Sequence, residues 1–216
     1  MRVVVFASGR GSNFAALVEA QRRGELSIDL AALLSDKPAA PALALARAAG
    51  IDAIAFKPRD YASRKDFDEA IFTRAAQFAP DLIVLAGFMR IIDPAAVAPW
   101  VGRMINIHPS LLPKYPGLHT HARAIEAGDV EHGSSVHYVT AKLDGGPVIA
   151  QAVLPIEKND SAETLATRLL PLEHRLLIAT TRLIAAGAIA LQGDGVVCKG
   201  LPLTQPLRLD GNDELA

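Results

Sequence analysis

This sequence predicts an α/β fold built on a mostly parallel sheet, and three observations support it. Short apolar runs rich in β-branched residues alternate with segments of helical spacing through the first half of the chain. The strand segments are apolar throughout instead of alternating, as befits strands covered on both faces. Glycine and proline punctuate the junctions, as at Gly24, Gly50 and Pro80. Such a sheet carries helices on both faces, and its ligands bind at the carboxyl ends of the strands.

The elements follow in order. Val3 to Ala7 reads as a buried strand that runs into the turn Ser8-Gly9-Arg10-Gly11-Ser12-Asn13. Residues Asn13 to Arg23 place Phe14, Leu17 and Val18 on one helical face, and Gly24 stops the helix. Ile28–Leu34, Ile51–Phe56, Leu82–Ala86 and Met104–Ile107 are further strands, with helices at Pro41–Ala49 and Ser63–Phe78 between them. The loops 8–13, 87–92 and 106–121 are then expected at one edge of the sheet. Beyond residue 130 the pattern changes. Ser134–Val139 and Val148–Pro155 are strand-like and flank a turn. A long helix from about Ser161 to Ala186 carries a leucine stripe, with a kink expected at Pro171. Short strands are expected at Ala188–Leu191 and Val196–Cys198, and the last dozen residues are expected to be loosely held. With no repeat or linker, one domain over 1–216 is expected, in a half up to about residue 100, a half from 101 to 190, and a tail from 191 to 216.

Composition narrows the function classes. The chain has 216 residues and a formal net charge of −1, so no basic surplus marks a nucleic-acid surface. No apolar run approaches the roughly 20 residues that span a bilayer. A single cysteine, Cys198, excludes an internal disulfide and points to a reducing, cytoplasmic setting.

The glycine loop has two readings. A turn between a strand and a helix exposes backbone N–H groups where the helix dipole favours an anion, so Gly11, Ser12 and Asn13 fit a phosphate cradle. They equally fit a tight turn in which Ser12 or Asn13 caps the helix. A dinucleotide fingerprint is disfavoured because Phe14 stands where its third glycine belongs, although Asp36 lies where a ribose-binding acid would sit. Further on, strand periodicity puts Asn106 and His108 on one face at the end of the Met104 strand. An Asn amide can donate to a developing oxyanion, and a nearby His can move a proton. An ordinary edge histidine is the alternative. His108, His119, His121, His132 and His137 crowd the region, but no zinc-ligand spacing appears, so no metal is expected. Asp144, in Leu143-Asp144-Gly145-Gly146-Pro147, reads on local grounds as plain turn chemistry. It gains a role only by reaching His108, where a carboxylate would favour the imidazolium.

Five segments now stand in sequence: Gly9-Arg10-Gly11-Ser12-Asn13, Leu85-Ala86-Gly87-Phe88-Met89-Arg90, Asn106-Ile107-His108-Pro109-Ser110-Leu111-Leu112-Pro113, Gly117-Leu118-His119-Thr120-His121 and the Leu143–Pro147 turn. Over residues 1 to about 190 this order resembles the folate-dependent formyltransferases. The Asn-x-His and Asp-Gly-Gly pairing belongs to the wider group, while the glycine loop and Phe-Met-Arg narrow the resemblance to the branch acting on glycinamide ribonucleotide. The resemblance implies a Rossmann-like, twisted, mostly parallel sheet of about seven strands. It implies a phosphate-binding first half and a catalytic, folate-binding second half. It also implies transfer of the formyl group of 10-formyltetrahydrofolate, as co-substrate, to the ribonucleotide amine in purine biosynthesis. Asn106 and protonated His108 would stabilise the oxyanion, and Asp144 would hold His108 charged. Gly11, Ser12, Asn13 and Glu173 would bind the ribonucleotide. Arg64, Met89, Arg90, Ile91, Ile92 and Asn106, with Thr140, Ala141, Lys142, Leu143 and Asp144, would line the folate pocket. A monomer or homodimer is implied, with no nucleic acid and no membrane as partner. Arg10 departs from the family pattern, standing where a small polar residue is common. So does the apolar run Leu169–Leu172 before Glu173. A formyl-folate hydrolase and a methionyl-tRNA formyltransferase would share the trio. They are disfavoured here because the first strand begins almost at the N-terminus and only about 30 residues follow the resemblance. A non-catalytic nucleotide-binding module would leave Asn106, His108 and Asp144 without a role.

Overall fold

The computed structural model describes residues 1–216. The chain forms two compact units, Met1–Asn106 and Ile107–Ala216. The first contains β1 (Arg2–Phe6), α1 (Ser12–Arg22), β2 (Asp29–Ser35), α2 (Pro41–Ala48), β3 (Asp52–Ala55), α3 (Arg64–Ala76), β4 (Leu82–Leu85), α4 (Pro94–Val97) and the start of β5 (Met104–His108). All its strand pairs are parallel, in the order β3-β2-β1-β4-β5. The winding reverses between β1 and β4, and ligands settle outside the strand ends at such a switch point. Val3, Val4, Val5 and Phe6 are all fully buried. Successive strand residues point to opposite faces, so both faces of β1 are covered, which is why the run is apolar without alternation.

Each helix buries the stripe its spacing supplies. In α3, Ser63 caps the N-terminus by accepting the Asp66 N–H, and Phe67, Ile71, Phe72 and Ala75 are buried. The Phe6 ring meets those of Phe72 and Phe88 at 5.2 and 5.3 Å between centroids.

The second unit contains α5 (Thr120–Glu126), β6 (Glu131–Tyr138), β7 (Val148–Pro155), α6 (Ala162–Ala185), β8 (Ile189–Gln192), β9 (Gly195–Cys198), β10 (Leu201–Pro202) and β11 (Leu207–Arg208). β6 and β7 are antiparallel, β11 adds to β7 in parallel, and β8, β9 and β10 form a small antiparallel sheet. The main sheet has eight strands and is mostly parallel, matching the expected class. The eighth strand comes from the segment expected to be loose. The residues after β11 are tied to α6 by an Arg175–Asp213 ion pair and by Arg182 with Glu214. α6 opens on a Ser161–Thr164 capping box and runs unbroken through Pro171, so the expected kink does not end it. Its Leu165 and Leu169 pack with Leu154 of β7. No helix is long and apolar enough to cross a membrane.

Candidate functional site

In the first unit, the loops after β1 and β4 meet at the switch point. The Ser8 N–H donates to Gly87 O at 3.0 Å. The Ser8 hydroxyl accepts the Met89 N–H at 2.8 Å and donates to buried Asp36 at 2.5 Å. Asp36, the acid that could have met a ribose, is therefore spent on fixing these loops. Gly11 is the N-cap of α1 at φ 78°, and no side chain caps that end, so the capping reading of Ser12 and Asn13 is not what the helix uses. A Cβ on Gly11 would stand 2.6 Å from Ala42 Cβ, so only glycine lets the turn lie against α2. Asn13 is buried and Ser12 half-buried.

The Met89–Ile92 segment follows on. Met89 and Ile91 are exposed, while Arg90 lies 4.5 Å over the Phe67 ring with its Nε buried and lacking a hydrogen-bond partner. Arg64, first residue of α3, stands 4.0 Å from Asp93. Fully buried Asp68 accepts the Asp93 N–H at 2.8 Å. Burial raises the Asp68 pKa, against the lowering effects of that amide and of Arg90 and Arg64. Asp68 and Asp93 went unread in the sequence. An acid on the buried stripe of α3 was the available sign.

In the second unit, the structure brings His108 and Asp144 together. His108 ends β5, and its Nδ1 lies 3.6 Å from Asp144 Oδ2, with both side chains more than nine-tenths buried. Asp144 sits in the turn between β6 and β7 at φ 47°, and its buried carboxylate accepts the Gly117 N–H at 2.8 Å. The other ring nitrogen of His108, Nε2, lies 2.9 Å from the Tyr115 carbonyl. A buried polar network fixes the chain leaving His108. Ser134 donates to His108 O at 2.8 Å, Ser135 donates to Ser110 O at 2.7 Å, and Gln151 donates to Leu112 O at 2.9 Å. These three read in the sequence as ordinary strand residues.

Burial lowers the His108 pKa and outweighs the raising effects of the Tyr115 carbonyl and of Asp144. Asp144 is pushed up by burial, yet the His137 contact, the Gly117 N–H and the charges of His108 and His137 together bring it below the usual carboxylate value. Thr140, Ala141, Lys142 and Leu143 sit on the exposed side of the same turn, and with Gly145, Gly146, Pro147 and Asp194 the first three line a cleft of about 500 Å³. Glu173 lies half-buried on α6. Asn106 shares β5 with His108, two residues away and therefore on the same strand face. No group of three or more His, Cys, Asp or Glu side chains is arranged to hold a metal ion.

A second histidine pair titrates for structural reasons. His132 Nε2 lies 2.9 Å from His121 Nδ1, and burial pushes the His132 pKa down to about 4, with His121 adding to the effect. A histidine depressed in the folded state binds its proton more readily when unfolded, so stability is lost as pH falls from about 6.5 toward 4. A tenfold difference in proton affinity between the two states is worth about 1.4 kcal/mol, and the loss expected from His132 between pH 7 and pH 4.5 is about 2 kcal/mol. Urea unfolding at the two pH values checks this. In His132→Gln the difference shrinks by about that amount, and an unchanged difference rules out His132 as its source.

Comparison with known proteins places the chain. A family model described as formyl transferase matches residues 1–181. Phosphoribosylglycinamide formyltransferase of Escherichia coli is 47% identical over 176 residues, covering 82% of this chain and 83% of that protein. The human trifunctional purine biosynthetic protein adenosine-3 is 38% identical over 91% of this chain, which spans 20% of that longer protein. The solved phosphoribosylglycinamide formyltransferase of Coxiella burnetii superposes with a TM-score of 0.91 at 44% identity, covering 94% of this chain and 96% of that one. With a matching family model over most of its length and relatives this similar, the chain belongs to the formyl transferase family, in its phosphoribosylglycinamide formyltransferase branch.

Proposed function

We propose that His108, Asp144 and Asn106 carry formyl transfer in this chain. The reaction takes the formyl group from 10-formyltetrahydrofolate to the amine of glycinamide ribonucleotide, giving formylglycinamide ribonucleotide and tetrahydrofolate in purine biosynthesis. The observation that carries the assignment is the buried His108–Asp144 pair, 3.6 Å apart, at the end of β5.

A His108 pKa lowered by burial suits a group that must first accept a proton. As the ribonucleotide amine attacks the formyl carbon, negative charge grows on the formyl oxygen and the amine becomes acidic. His108 takes up the amine proton and, as an imidazolium beside Asp144, stabilises the charge before passing the proton to the leaving folate nitrogen. For Nε2 to accept that proton, the ring gives up its contact with the Tyr115 carbonyl and carries its own hydrogen on Nδ1, toward Asp144. The Asn106 amide donates to the same oxygen, a contribution of about 3–4 kcal/mol for such a donor.

The binding roles follow the same assignment. Gly11, Ser12 and Asn13 hold the ribonucleotide phosphate, supported by the uncapped start of α1, and Glu173 contacts the sugar. Arg64, Met89, Arg90, Ile91, Ile92 and Asn106, with Thr140, Ala141, Lys142, Leu143 and Asp144, take the folate. Met89 and Ile91 are 66% and 57% exposed, which fits a flat ring as their cover. A cytoplasmic monomer or homodimer acting as one formyltransferase domain completes the reading, with the lone free Cys198 in keeping.

The test is a formyl-transfer assay with both substrates. Formylation of the ribonucleotide is expected. Folate deformylation that runs equally with and without the ribonucleotide would mean a hydrolase and would overturn the reading.

A further inference from the structure

The segment 89–93 is pinned at both ends by buried carboxylates. At its start the Met89 N–H donates to the Ser8 hydroxyl at 2.8 Å, and that hydroxyl donates to Asp36. At its end the Asp93 N–H donates to Asp68 Oδ2 at 2.8 Å. Asp36 is 5% exposed and Asp68 is fully buried, while the segment they hold leaves Met89 and Ile91 exposed. Helix α3 meets the segment at three points. Arg64 Nη2 lies 4.0 Å from Asp93 Oδ2, the Arg90 guanidinium lies 4.5 Å over the Phe67 ring, and Asp68 takes the Asp93 N–H. Residues at i, i+3 and i+4 are neighbours on a helix surface, so one stripe of α3 supplies all three contacts. Their weights differ. Arg64 is half exposed, and exposed ion pairs add little. Phe67 orients a side chain. Asp68 is the contact that holds the backbone.

As a purely structural residue, Asp68 is a poor choice. Phe67, Ile71, Phe72 and Ala75 give α3 a buried apolar stripe, and an apolar side chain at 68 would extend it. A buried carboxylate carries a desolvation cost instead. Asp68 Oδ1 is also buried without a hydrogen-bond partner, so one of its two oxygens goes unused. What an acceptor alone can do here is take the Asp93 N–H. That bond fixes where the segment ends and α4 begins, since the Asp93 side chain caps α4 by accepting the Ala95 N–H at 2.9 Å. We propose that Asp68 is a positioning residue for the folate: by anchoring the Asp93 backbone it holds segment 89–93 in its binding conformation before the folate arrives. The inference rests on the assignment of Met89, Arg90, Ile91 and Ile92 to folate binding. A segment already ordered in the free protein loses less freedom on binding. The anchor therefore acts on folate affinity and leaves the chemical step to other residues.

Two substitutions separate the hydrogen bond from the charge. Asp68→Asn keeps an oxygen that can accept the Asp93 N–H, and Asp68→Ala does not. Calorimetric titration with tetrahydrofolate, the product of the proposed reaction, reads binding without turnover. Asp68→Ala should weaken it about tenfold, the low end for a hydrogen bond to a charged group, and Asp68→Asn by no more than about threefold. In steady-state assays, KM of Asp68→Ala for the formyl-folate should rise about tenfold, with kcat within about threefold and KM for the ribonucleotide unchanged. Amide exchange without ligand should show the Asp93 N–H protected in the wild type and in Asp68→Asn, and exchanging at least about tenfold faster in Asp68→Ala. A folded Asp68→Ala that binds tetrahydrofolate like the wild type overturns the proposal, even if it is less stable. So does an Asp68→Asn that loses as much affinity as Asp68→Ala. If Asp68→Ala fails to fold, the wild type decides: an Asp93 N–H that becomes protected only when tetrahydrofolate is added overturns the proposal, and one equally protected without it supports it. A wild type with that amide protected but no affinity for tetrahydrofolate contradicts the functional reading and leaves the backbone anchor standing.

Discussion

Asp144→Asn is expected to lower kcat by at least about 10²-fold while leaving the fold intact. The isosteric amide can still accept the Gly117 N–H through its oxygen, so the turn keeps its anchor. What disappears is the negative charge 3.6 Å from His108 and 3.7 Å from His137. Burial already disfavours an imidazolium at His108, and Asp144 is the carboxylate that opposes this. Without it, the protonated ring formed during transfer loses its counter-charge in a site that excludes water, where charges are screened least. The loss belongs mainly to the transition state, so it should appear in kcat, with KM for the ribonucleotide nearly unchanged. The variant should also lose part of the acid sensitivity of the fold. The Asp144 pKa lies below its usual value, so the stability it contributes is present at neutral pH and vanishes as pH falls below about 4. Steady-state kinetics with unfolding curves separate the two effects. A variant that keeps kcat within about threefold of the wild type would remove Asp144 from the chemistry.

The sequence was most informative where one residue's neighbours along the chain settle its environment. The apolar runs of β1 and β4 and the stripe of α3 follow from periodicity, because a strand buried on both faces and a helix buried on one leave different patterns. Asn106 and His108 share a face for the same local reason. Asp144 could not be read this way. Its value comes from reaching a ring 36 positions earlier, and the local Asp-Gly-Gly is indistinguishable from an ordinary turn; only the family resemblance supplied the pairing. His137 was hidden differently. Every residue of β6 from His132 to Tyr138 is buried, so alternation marks no functional face. β11 is two residues long, too short for any period, and exists because β7 offers it an edge. The burial that lowers the His108 pKa was likewise not legible, because the sequence shows a candidate carboxylate but not how deeply the ring is buried.

Gly146→Ala is expected to destabilise the protein by about 3 kcal/mol and to reduce kcat alongside, because this glycine sits where the turn and the strand touch. A Cβ on Gly146 would stand 1.9 Å from the Tyr138 carbonyl oxygen and 3.1 Å from Thr140 Cγ2. The first atom is backbone and cannot rotate away, so the Leu143–Pro147 turn must separate from the end of β6. Two functional contacts lie within that movement. The Tyr138 carbonyl holds His137 Nδ1 at 2.9 Å, and the Tyr138 N–H is itself bonded to Pro147 O at 3.0 Å. Asp144 is two residues from the substituted position, so its reach to His108 lengthens as the turn lifts. Gly145 provides the contrast. A Cβ there meets the Lys142 side chain at 2.5 Å, and that flexible, exposed chain can swing aside. Gly145→Ala should therefore cost less than about 1 kcal/mol, within the range of ordinary surface changes with modest strain. Thermal unfolding and kcat of the two variants side by side make the comparison. Equal stability loss in both would show that the Tyr138 carbonyl yields to the methyl group, and that the turn is not the rigid mount that holds Asp144 against His108.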